Sequence, residues 1–358
     1  MNITLIVPEL SSGGAERVVV LLAQGLTQRG HRITVVTISS EDRDFYKLPT
    51  TVHRVALNLQ QKAPTLLIKA RDMLVRIVRL RQAVNATQPD LVISFLASMN
   101  IFSGIALFGT PYPKIGTEHN SPKIDPCAQP WESIRRFAYP HLTKIVSVSQ
   151  AVSQDVDYLP EARKAVIYNP FIASAPSTSP LQLPAGVDPT KKWIISMGRL
   201  TPQKGFDLLL KAFEPLAQRY PDWQLLVLGE GYLKPELEQL RDQLGLSHQV
   251  VFTGAISPPF PLLQNSELFV MASRFEGFPM AHGEALACGL PVLATNCCGV
   301  KELLRDGIDS VLVPNEDIAA LTQAMDRLMS DTTERQRLAS HAPEVLERFS
   351  LETILDQW

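Results

Sequence analysis

An arginine and a lysine lie on one short, glycine-flanked loop in the second half of the chain, where a predicted strand gives way to a predicted helix. The loop contains Gly198-Arg199-Leu200 and then Lys204-Gly205. Two cations so close together, at a helix N-terminus, are suited to neutralising two linked phosphates without a metal ion. The loop is equally compatible with two unrelated, solvated cations, and taken alone it does not decide between these interpretations.

Two glutamates stand eight positions apart further along the chain. Glu276 follows a predicted strand, and Glu284 falls in the first turns of the next predicted helix. Carboxylates bind hydroxyl groups through charge-assisted hydrogen bonds, so one of them could reach a sugar and the other a ribose on the same ligand. The alternative is a charge that stabilises a helix N-terminus beside a solvated neighbour.

A third candidate is the pair Gly13-Gly14, between the first predicted strand and the first predicted helix. Free backbone amides and the helix dipole at such a place can face an anion. The full G-x-G-x-x-G fingerprint is missing, so a plain tight turn is an equal interpretation.

The elements that must position these residues follow a repeated strand–helix order. Short apolar runs in the first half predict strands at Ile3–Val7, Ile33–Ile38, Leu91–Phe95, Lys114–Thr117 and Ile145–Val148. The second half predicts strands at Trp193–Met197, Gln224–Leu228, Val250–Thr253, Leu268–Met271, Pro291–Ala294 and Ser310–Val313, with helices at Phe206–Tyr220 and Leu233–Leu244. Strand–helix–strand units of this length imply parallel pairs with right-handed crossovers.

A segment rich in Pro, Ser and Thr interrupts this order between the halves. We predict a first Rossmann-like domain at 1–168, a linker at 169–192, a second Rossmann-like domain at 193–340, and a C-terminal helix at 341–358 that packs back toward the first domain. The fold class is therefore α/β. The two doubly wound domains are expected to face each other across a cleft, with the ligand at the carboxyl ends of both sheets.

The order of these motifs resembles that of the retaining glycosyltransferases of family four, which have the GT-B fold. The shared pattern is a strand followed by GRLxxxKG, then FTG, then EGFP with a second Glu eight positions after the first, then ACGLPV. It is strongest from Ser196 to Val313 and extends to the opening SSGGAER loop and the closing DGIDSVLVPNED stretch. The EGFPM variant with vicinal cysteines is most similar to the branch that builds bacterial surface polysaccharides and lipid-linked oligosaccharides.

The resemblance implies a role for each matching residue. Arg199 and Lys204 would hold the donor diphosphate and stabilise the leaving group. Glu276 would contact the transferred sugar and Glu284 the ribose, while the Gly13-Gly14 pair would approach the diphosphate from the other domain, so that catalysis needs a closed cleft. Backbone amides of three residues would line the sugar pocket, namely Gly277, Phe278 and Met280. A short loop that includes Gly254 and Ile256 would lie beside the base.

His119 ends the Thr117-Glu118-His119-Asn120 segment, where the family has an active-site histidine near the sugar. A buried or capping histidine is the alternative.

The chain also departs from the family pattern. Pro279 removes one backbone donor, Val300 replaces a frequent second glycine, and the pair His282-Gly283 replaces apolar residues, which alters either sugar preference or local packing.

The predicted function is transfer of a hexose or N-acetylhexosamine from a nucleotide-diphosphate sugar, UDP-linked, to a hydroxyl of a glycan acceptor. The family implies retention of the anomeric configuration by a front-face attack in which the leaving phosphate helps to take the acceptor proton. A sugar-nucleotide epimerase or hydrolase of the same architecture is a rival that would turn over without acceptor. A non-catalytic nucleotide-sugar-binding protein is another, but it would need only the phosphate loop, whereas this chain has diphosphate, ribose and sugar elements together.

The composition of the chain argues against several other classes of protein. The chain has 358 residues, 45% of them hydrophobic and 20% charged, which suits two folded domains. No apolar run reaches the roughly 18 residues of a membrane span and no leader pattern is seen, so a secreted or transmembrane protein is not expected. Four cysteines in no zinc-binding or disulfide-like spacing favour the cytoplasm. A pI near 6.4 argues against a nucleic-acid partner.

No cofactor and no metal are expected. Asp42-Arg43-Asp44 and Asp155-Val156-Asp157 have the D-x-D spelling of metal-dependent transferases, but neither directly follows a predicted buried strand. We interpret both as solvated charge, and the Arg199/Lys204 pair as the substitute cation.

Charge is distributed unequally along the chain, with a net +6 over residues 1–170 and −8 over residues 171–358. Much of the positive excess lies in residues 65–84, where basic and apolar residues alternate; the basic ones are Lys69, Arg71, Arg76, Arg79 and Arg81. A basic amphipathic helix can lie on an anionic leaflet with its apolar side chains inserted, which predicts a lipid-linked acceptor at the cytoplasmic face of the inner membrane. A docked helix with a solvated cationic face is an equal alternative.

Overall fold

The structure is a computed structural model that describes residues 1–59, 66–173 and 181–358. The described chain divides into two compact units, one of Met1–Pro170 with Leu351–Trp358 and the other of Phe171–Ser350. Part of the expected linker, residues 174–180, lies outside the described residues. The C-terminal segment that joins the first unit begins at Leu351, rather than at 341 as expected.

The first unit is built, within the described residues, on a parallel sheet of seven strands. They are β1 (Asn2–Val7), β2 (Arg32–Thr37), β3 (His53–Ala56), β4 (Leu91–Phe95), β5 (Lys114–Glu118), β6 (Lys144–Ser147) and β7 (Lys164–Val166), in the order β3-β2-β1-β4-β5-β6-β7. The helices between them are α1 (Gly14–Gln28), α2 (Leu66–Ala86), α3 (Leu96–Ala106), α4 (Trp131–Ala138) and α5 (Gln150–Asp155). Residues 3–7 of β1 are all buried, because a central parallel strand is covered on both faces.

The second unit has a parallel sheet of six strands within the described residues. They are β8 (Lys192–Met197), β9 (Trp223–Leu228), β10 (Val250–Gly254), β11 (Leu268–Met271), β12 (Val292–Thr295) and β13 (Ser310–Val313), in the order β10-β9-β8-β11-β12-β13. Its helices are α6 (Phe206–Ala217), α7 (Lys234–Gln243), α8 (Phe260–Gln264), α9 (Met280–Ala287), α10 (Val300–Leu303), α11 (Ile318–Ser330), α12 (Thr332–His341) and α13 (Val345–Phe349). The predicted fold of two Rossmann-like α/β units is thus confirmed.

The C-terminal helix α14 (Leu351–Leu355) packs on α1 of the first unit. A Cβ atom at Gly25 of α1 would collide with the side chain of Leu355, so the glycine allows close helix contact. Arg29 lies 2.8 Å from a carboxylate oxygen of Glu352 and 2.7 Å from one of Asp356. The segment is therefore held by both apolar packing and exposed ion pairs.

Candidate active site

The predicted donor-binding residues of the second unit lie at the carboxyl edge of its sheet. β8 and β11 are neighbours in the sheet although β9 and β10 separate them in the chain. The strand order reverses at this point, and ligands of open α/β sheets bind in the crevice that the diverging loops leave there. The loop with Arg199 and Lys204 follows β8, and the loop with Glu276 follows β11.

Lys204 and Glu276 form a buried ion pair at this edge. The Nζ atom of Lys204 lies 2.6 Å from Oε1 of Glu276, and the side chains are 16% and 6% exposed. The same oxygen accepts a hydrogen bond from Oγ of Ser273 at 2.7 Å. The sequence predicted that both charged residues contact a ligand, and the structure shows in addition that they contact each other. The role of Ser273 had no sequence signal, because a serine after a strand is common.

The pKa of Glu276 shows which interactions dominate its environment. Burial raises this pKa, but the positive charge of Lys204, with the hydrogen bonds from Lys204 and Ser273, outweighs burial and holds it below the usual value. Glu276 is therefore a carboxylate at neutral pH and can accept hydrogen bonds from hydroxyl groups. Arg199, on the same loop as Lys204, is exposed.

Arg274 joins the two loops, a role that the sequence analysis did not assign. Its guanidinium binds both carboxylate oxygens of Asp207, at 2.9 and 2.8 Å, and donates to the carbonyl oxygen of Pro202 at 2.7 Å. Its backbone N–H donates to the carbonyl oxygen of Gln203 at 2.8 Å. These contacts lie directly beside the Lys204–Glu276 pair in sequence, so each loop fixes the position of the other.

Two glycines allow the site loops to approach their neighbours this closely. Gly205 has a φ of +62°, and a Cβ atom there would collide with the carbonyl oxygen of Ala272. Gly299 has a φ of +80°, and a Cβ atom there would collide with the carbonyl oxygens of Glu276 and Gly277. A larger residue at either position would be strained in its own backbone and would displace the loop that carries a charged site residue.

The other predicted donor contacts of the second unit are distributed along the same sheet and on α9. Gly254 ends β10, two strands from β8, and its carbonyl oxygen accepts from the N–H of Gly229 at 2.9 Å. Ile256 follows it closely. Glu284 is half-buried in the second turn of α9. Three residues are buried in the loop before α9 or in its first turn, namely Gly277, Phe278 and Met280.

Gly283 is explained by packing. A Cβ atom at this position of α9 would collide with the ring of Phe171. That ring stacks on Phe278, with centroids 6.0 Å apart, and Phe278 meets Phe349 edge-on at 5.3 Å. The three phenylalanines pack together against the loop after β11 and the start of α9. The structure therefore favours local packing as the explanation of Gly283, where the family pattern has an apolar residue.

His119, in the first unit, directly follows β5 and is half-buried. Burial lowers its pKa to about 4, so the ring is neutral. Nε2 lies 3.0 Å from Oγ1 of Thr117, and that hydroxyl donates to the carbonyl oxygen of Ser94 at 3.0 Å. Because the hydroxyl has a single proton, its oxygen accepts from Nε2–H, which leaves Nδ1 as an acceptor. The ring lines a small pocket of the first unit whose other walls include Phe95, Val146, Val148, Asn169 and Trp358.

Glu118 is a buried acid directly before His119 that the sequence analysis missed. It is 3% exposed and accepts a hydrogen bond from the hydroxyl of Tyr139, to which the side-chain amide of Asn100 donates at 3.3 Å. Burial raises the pKa of Glu118 to about 7 against the opposing effects of the Tyr139 hydrogen bond and the charge of Arg135. The network fixes the end of β5 and therefore the backbone that presents His119.

An internal carboxylate lies at the N-terminus of α1, where Gly13 is the N-cap and Gly14 the first residue. Glu16 is 6% exposed, packs directly against Gly13 and accepts a hydrogen bond from Oγ of Ser11 at 3.2 Å. Donor contact through Gly13 and Gly14 stays a prediction.

One aspartate of each D-x-D segment, Asp44 and Asp155, is ion-paired and largely buried, which corrects its interpretation as solvated charge. The other aspartates, Asp42 and Asp157, are exposed as expected. Asp44 is bound by Arg54 through both of its oxygens, at 2.8 and 3.0 Å. Lys123 lies 3.6 Å from a carboxylate oxygen of Asp155 and 3.0 Å from one of Asp157. Over the described residues, no group of three His, Cys, Asp or Glu side chains is arranged to hold a metal ion.

Two family models match the chain, one over each half. Residues 184–345 match the model of glycosyl transferases group 1, and residues 12–173 match that of Glycosyltransferase Family 4. The chain belongs to glycosyltransferase family four.

Relatives of this family-four glycosyltransferase extend over its whole length. An uncharacterized glycosyltransferase of Haemophilus influenzae is 27% identical, with 97% of this chain and 96% of that protein covered. A Campylobacter jejuni enzyme named GalNAc-alpha-(1->4)-GalNAc-alpha-(1->3)-diNAcBac-PP-undecaprenol alpha-1,4-N-acetyl-D-galactosaminyltransferase is 28% identical, with 100% of this chain and 97% of that protein covered.

Solved structures show that this glycosyltransferase has the GT-B fold. Anabaena HepE, crystallised with UDP and glucose, superimposes with a TM-score of 0.81 at 22% identity, covering 100% of this chain and 98% of that one. Sucrose-phosphate synthase from Thermosynechococcus elongatus gives 0.84 at 16% identity, covering 100% and 97%. In the part of the chain that the structure describes, no helix is both long enough and apolar enough to cross a bilayer.

Proposed function

We propose that this glycosyltransferase moves a hexose or N-acetylhexosamine from a UDP-linked donor to a hydroxyl of a glycan acceptor, with retention of the anomeric configuration. The observation on which this depends is the buried Lys204–Glu276 pair at the strand-order reversal of the second sheet, with Arg199 exposed on the same loop. This edge offers cations for phosphates and an ionised carboxylate for hydroxyls side by side. A structural relative crystallised with UDP and glucose supports the choice of donor.

In this proposal each charged residue has one task. Arg199 and Lys204 bind the donor diphosphate and stabilise its charge as the sugar leaves, so that no metal ion is required. Glu276 accepts hydrogen bonds from the transferred sugar, and Glu284 accepts them from the ribose. In this proposal His119 acts on the sugar through its neutral ring, and the departing phosphate helps to take the acceptor proton. The loop from Gly254 to Ile256 lies beside the base, and buried backbone amides of Gly277, Phe278 and Met280 complete the sugar pocket.

Arg199→Ala is expected to weaken UDP binding by about 10- to 100-fold, because one charge-assisted contact to phosphate is lost. Thermal unfolding in the presence of UDP, GDP and ADP measures this effect. We expect UDP to raise the melting temperature of the wild type and not that of the variant. The matched control is Arg219→Ala, which removes another exposed arginine, paired with Asp326 at 3.0 Å, and should leave the UDP response intact. A wild type that responds to no nucleotide would contradict the proposed donor class.

The acceptor is proposed to be lipid-linked and reached at an anionic membrane surface. The Campylobacter relative is named for a polyprenyl-diphosphate glycan. Helix α2 supports the surface interaction, because its exposed side includes Leu74 and Val78, 62% and 52% exposed, with Val75 between them. Arg71 and Arg79 are exposed on the same helix. Apolar side chains flanked by arginines suit insertion among anionic headgroups.

Three arginines of α2 have contacts within the protein, so fewer of the basic side chains of residues 65–84 are available to a membrane than the sequence predicted. Arg71 lies 3.2 Å from a carboxylate oxygen of Asp72. Arg76 donates to the carbonyl oxygen of Leu59 at 3.1 Å. Arg81 donates to the carbonyl oxygens of Ala106 and Phe108 at 2.8 and 2.9 Å. Thr65 and the side chain of Lys69 lie outside the described residues. Reversing Arg76 or Arg81 would therefore disturb the fold as well as any membrane contact.

The double change Leu74→Asp and Val78→Asp is expected to reduce binding to phosphatidylglycerol vesicles by tenfold or more, because the inserted apolar surface is lost. Sedimentation with vesicles of phosphatidylglycerol and of phosphatidylcholine measures it. Ile308→Asp is the control, since Ile308 is an exposed apolar residue of the second unit, and it should bind like wild type. Equal binding by the double variant, or no preference of the wild type for the anionic lipid, would contradict the membrane proposal.

A further inference from the structure

His282 is a buried histidine whose ring nitrogens are both unused. It is the third residue of α9 and 1% exposed. Among the described residues, neither Nδ1 nor Nε2 has a hydrogen-bond partner, while the ring lies 5.4 Å from that of Phe269. Unpartnered buried polar atoms carry a free-energy cost, and each one in a native structure calls for an explanation. An apolar side chain would serve packing better at this position.

The Lys204–Glu276 pair is close enough to act electrostatically on this ring. Burial lowers the pKa of His282 to about 4, while the negative charge of Glu276 raises it and the positive charge of Lys204 lowers it. His282 is therefore a neutral imidazole, with one N–H donor and one acceptor nitrogen. Its N–H donor is unused, and the charge of the buried Glu276 carboxylate acts on the ring.

Glu276 depends on Lys204 in this arrangement. Oε1 of Glu276 accepts hydrogen bonds from both the ammonium of Lys204 and the hydroxyl of Ser273. In the proposed function Lys204 also binds the donor diphosphate, so its charge is shared with phosphate oxygens once the donor is in place. The Glu276 carboxylate, which is 6% exposed, then receives less of the positive charge of Lys204. A buried charge without sufficient partners raises the free energy of the folded protein.

We propose that His282 is a positioning residue for Glu276. Its neutral imidazole donates a hydrogen bond to the Glu276 carboxylate when the donor diphosphate engages Lys204, and this contact holds the carboxylate toward the hydroxyls of the transferred sugar. The proton stays on the imidazole throughout. This role requires no contact between His282 and the donor, which agrees with its burial. The inference rests on the proposed function.

His282→Leu tests the proposal, because leucine fills similar space and removes both nitrogens. We expect this variant to be at least as stable as wild type and to bind UDP somewhat less tightly, because the diphosphate of UDP also engages Lys204 and Glu276 then lacks the His282 donor. The additional affinity of the preferred UDP-sugar over UDP should fall tenfold or more, and kcat for sugar transfer or donor hydrolysis should fall with it. His282→Asn retains an N–H donor and should recover part of both losses. Calorimetric titration with UDP, UDP-glucose, UDP-galactose and their N-acetylated forms provides the affinities.

Phe269→Leu is the packing control for this experiment. It removes the ring beside His282 and should lower the melting temperature while leaving the ratio of UDP-sugar to UDP affinity unchanged. If His282→Leu has the wild-type ratio and kcat, His282 is a packing residue and the inference is overturned alone. If the wild type itself binds neither UDP nor a UDP-sugar, the proposed function fails and the inference with it. Should His282→Leu not fold, His282→Met takes its place, because methionine also fills the space of the ring and has no N–H donor.

Discussion

Lys204→Ala is expected to destabilise the second unit by about 3 kcal/mol near pH 7, and by much less near pH 4. In the wild type, Lys204 helps to hold the pKa of Glu276 below 4.5 despite burial. The ionised pair therefore stabilises the fold above pH 4.5, and that contribution is lost as pH falls through the lowered pKa. Without Lys204, burial dominates and raises the pKa of Glu276 above 4.5. The stability of the variant should then fall as pH rises through that range, so the two stability curves converge in acid.

The double variant Lys204→Ala with Glu276→Gln separates the pair from its surroundings. It removes the uncompensated charge, so it should recover most of the lost stability at pH 7 without recovering UDP binding, because the proposed phosphate contact is still absent. Lys234→Ala is the matched control. Its Nζ lies 3.1 Å from Glu230, but the two side chains are 31% and 52% exposed, so the loss should stay below about 1 kcal/mol. Urea denaturation at both pH values measures these differences. A loss for Lys204→Ala that is equal at pH 4 and pH 7 would contradict the ion-pair explanation.

The parallel strands could be predicted because burial on both faces makes them short, nearly continuous apolar runs. Every predicted strand is found, with ends that agree to within one residue. Two strands were missed, β3 (His53–Ala56) and β7 (Lys164–Val166), which lie at the two edges of the first sheet. An edge strand is paired on one side only and is mostly half-buried here, so its residues need not form an apolar run.

The identities of the candidate site residues could be predicted, but their contacts with each other could not. Lys204 and Glu276 were each placed after a strand, yet their pairing depends on β8 and β11 being neighbours in the sheet. The sequence orders strands along the chain and not across the sheet. The buried partner of Tyr139 was missed for the same reason, since Glu118 meets it only through tertiary packing.

Arg274→Ala is expected to lower the affinity for a UDP-sugar about 100-fold, although Arg274 is not proposed to touch the donor. Its guanidinium binds Asp207 through both oxygens, Glu316 at 2.9 Å and the carbonyl oxygen of Pro202 at 2.7 Å, and so fixes the loop of Lys204 against that of Glu276. Displacing site groups by about 1 Å can cost a factor of 100. The free energy of unfolding should also fall, by about 2 kcal/mol, because a half-buried carboxylate loses its partner.

The substitution Arg274→Lys distinguishes geometry from charge. Lysine keeps the positive charge beside Asp207 but cannot form the two parallel hydrogen bonds of a guanidinium, so it should restore most of the stability and little of the UDP-sugar affinity. Arg219→Ala, which removes an exposed ion pair with Asp326 and a contact with the ring of Tyr220, should change neither quantity appreciably. Calorimetric titration at a temperature where all variants are folded gives the affinities. If Arg274→Lys bound the UDP-sugar as tightly as wild type, a positive charge would be sufficient at this position. The two parallel hydrogen bonds from the guanidinium to Asp207 would then not be what positions Lys204 and Glu276 for the donor.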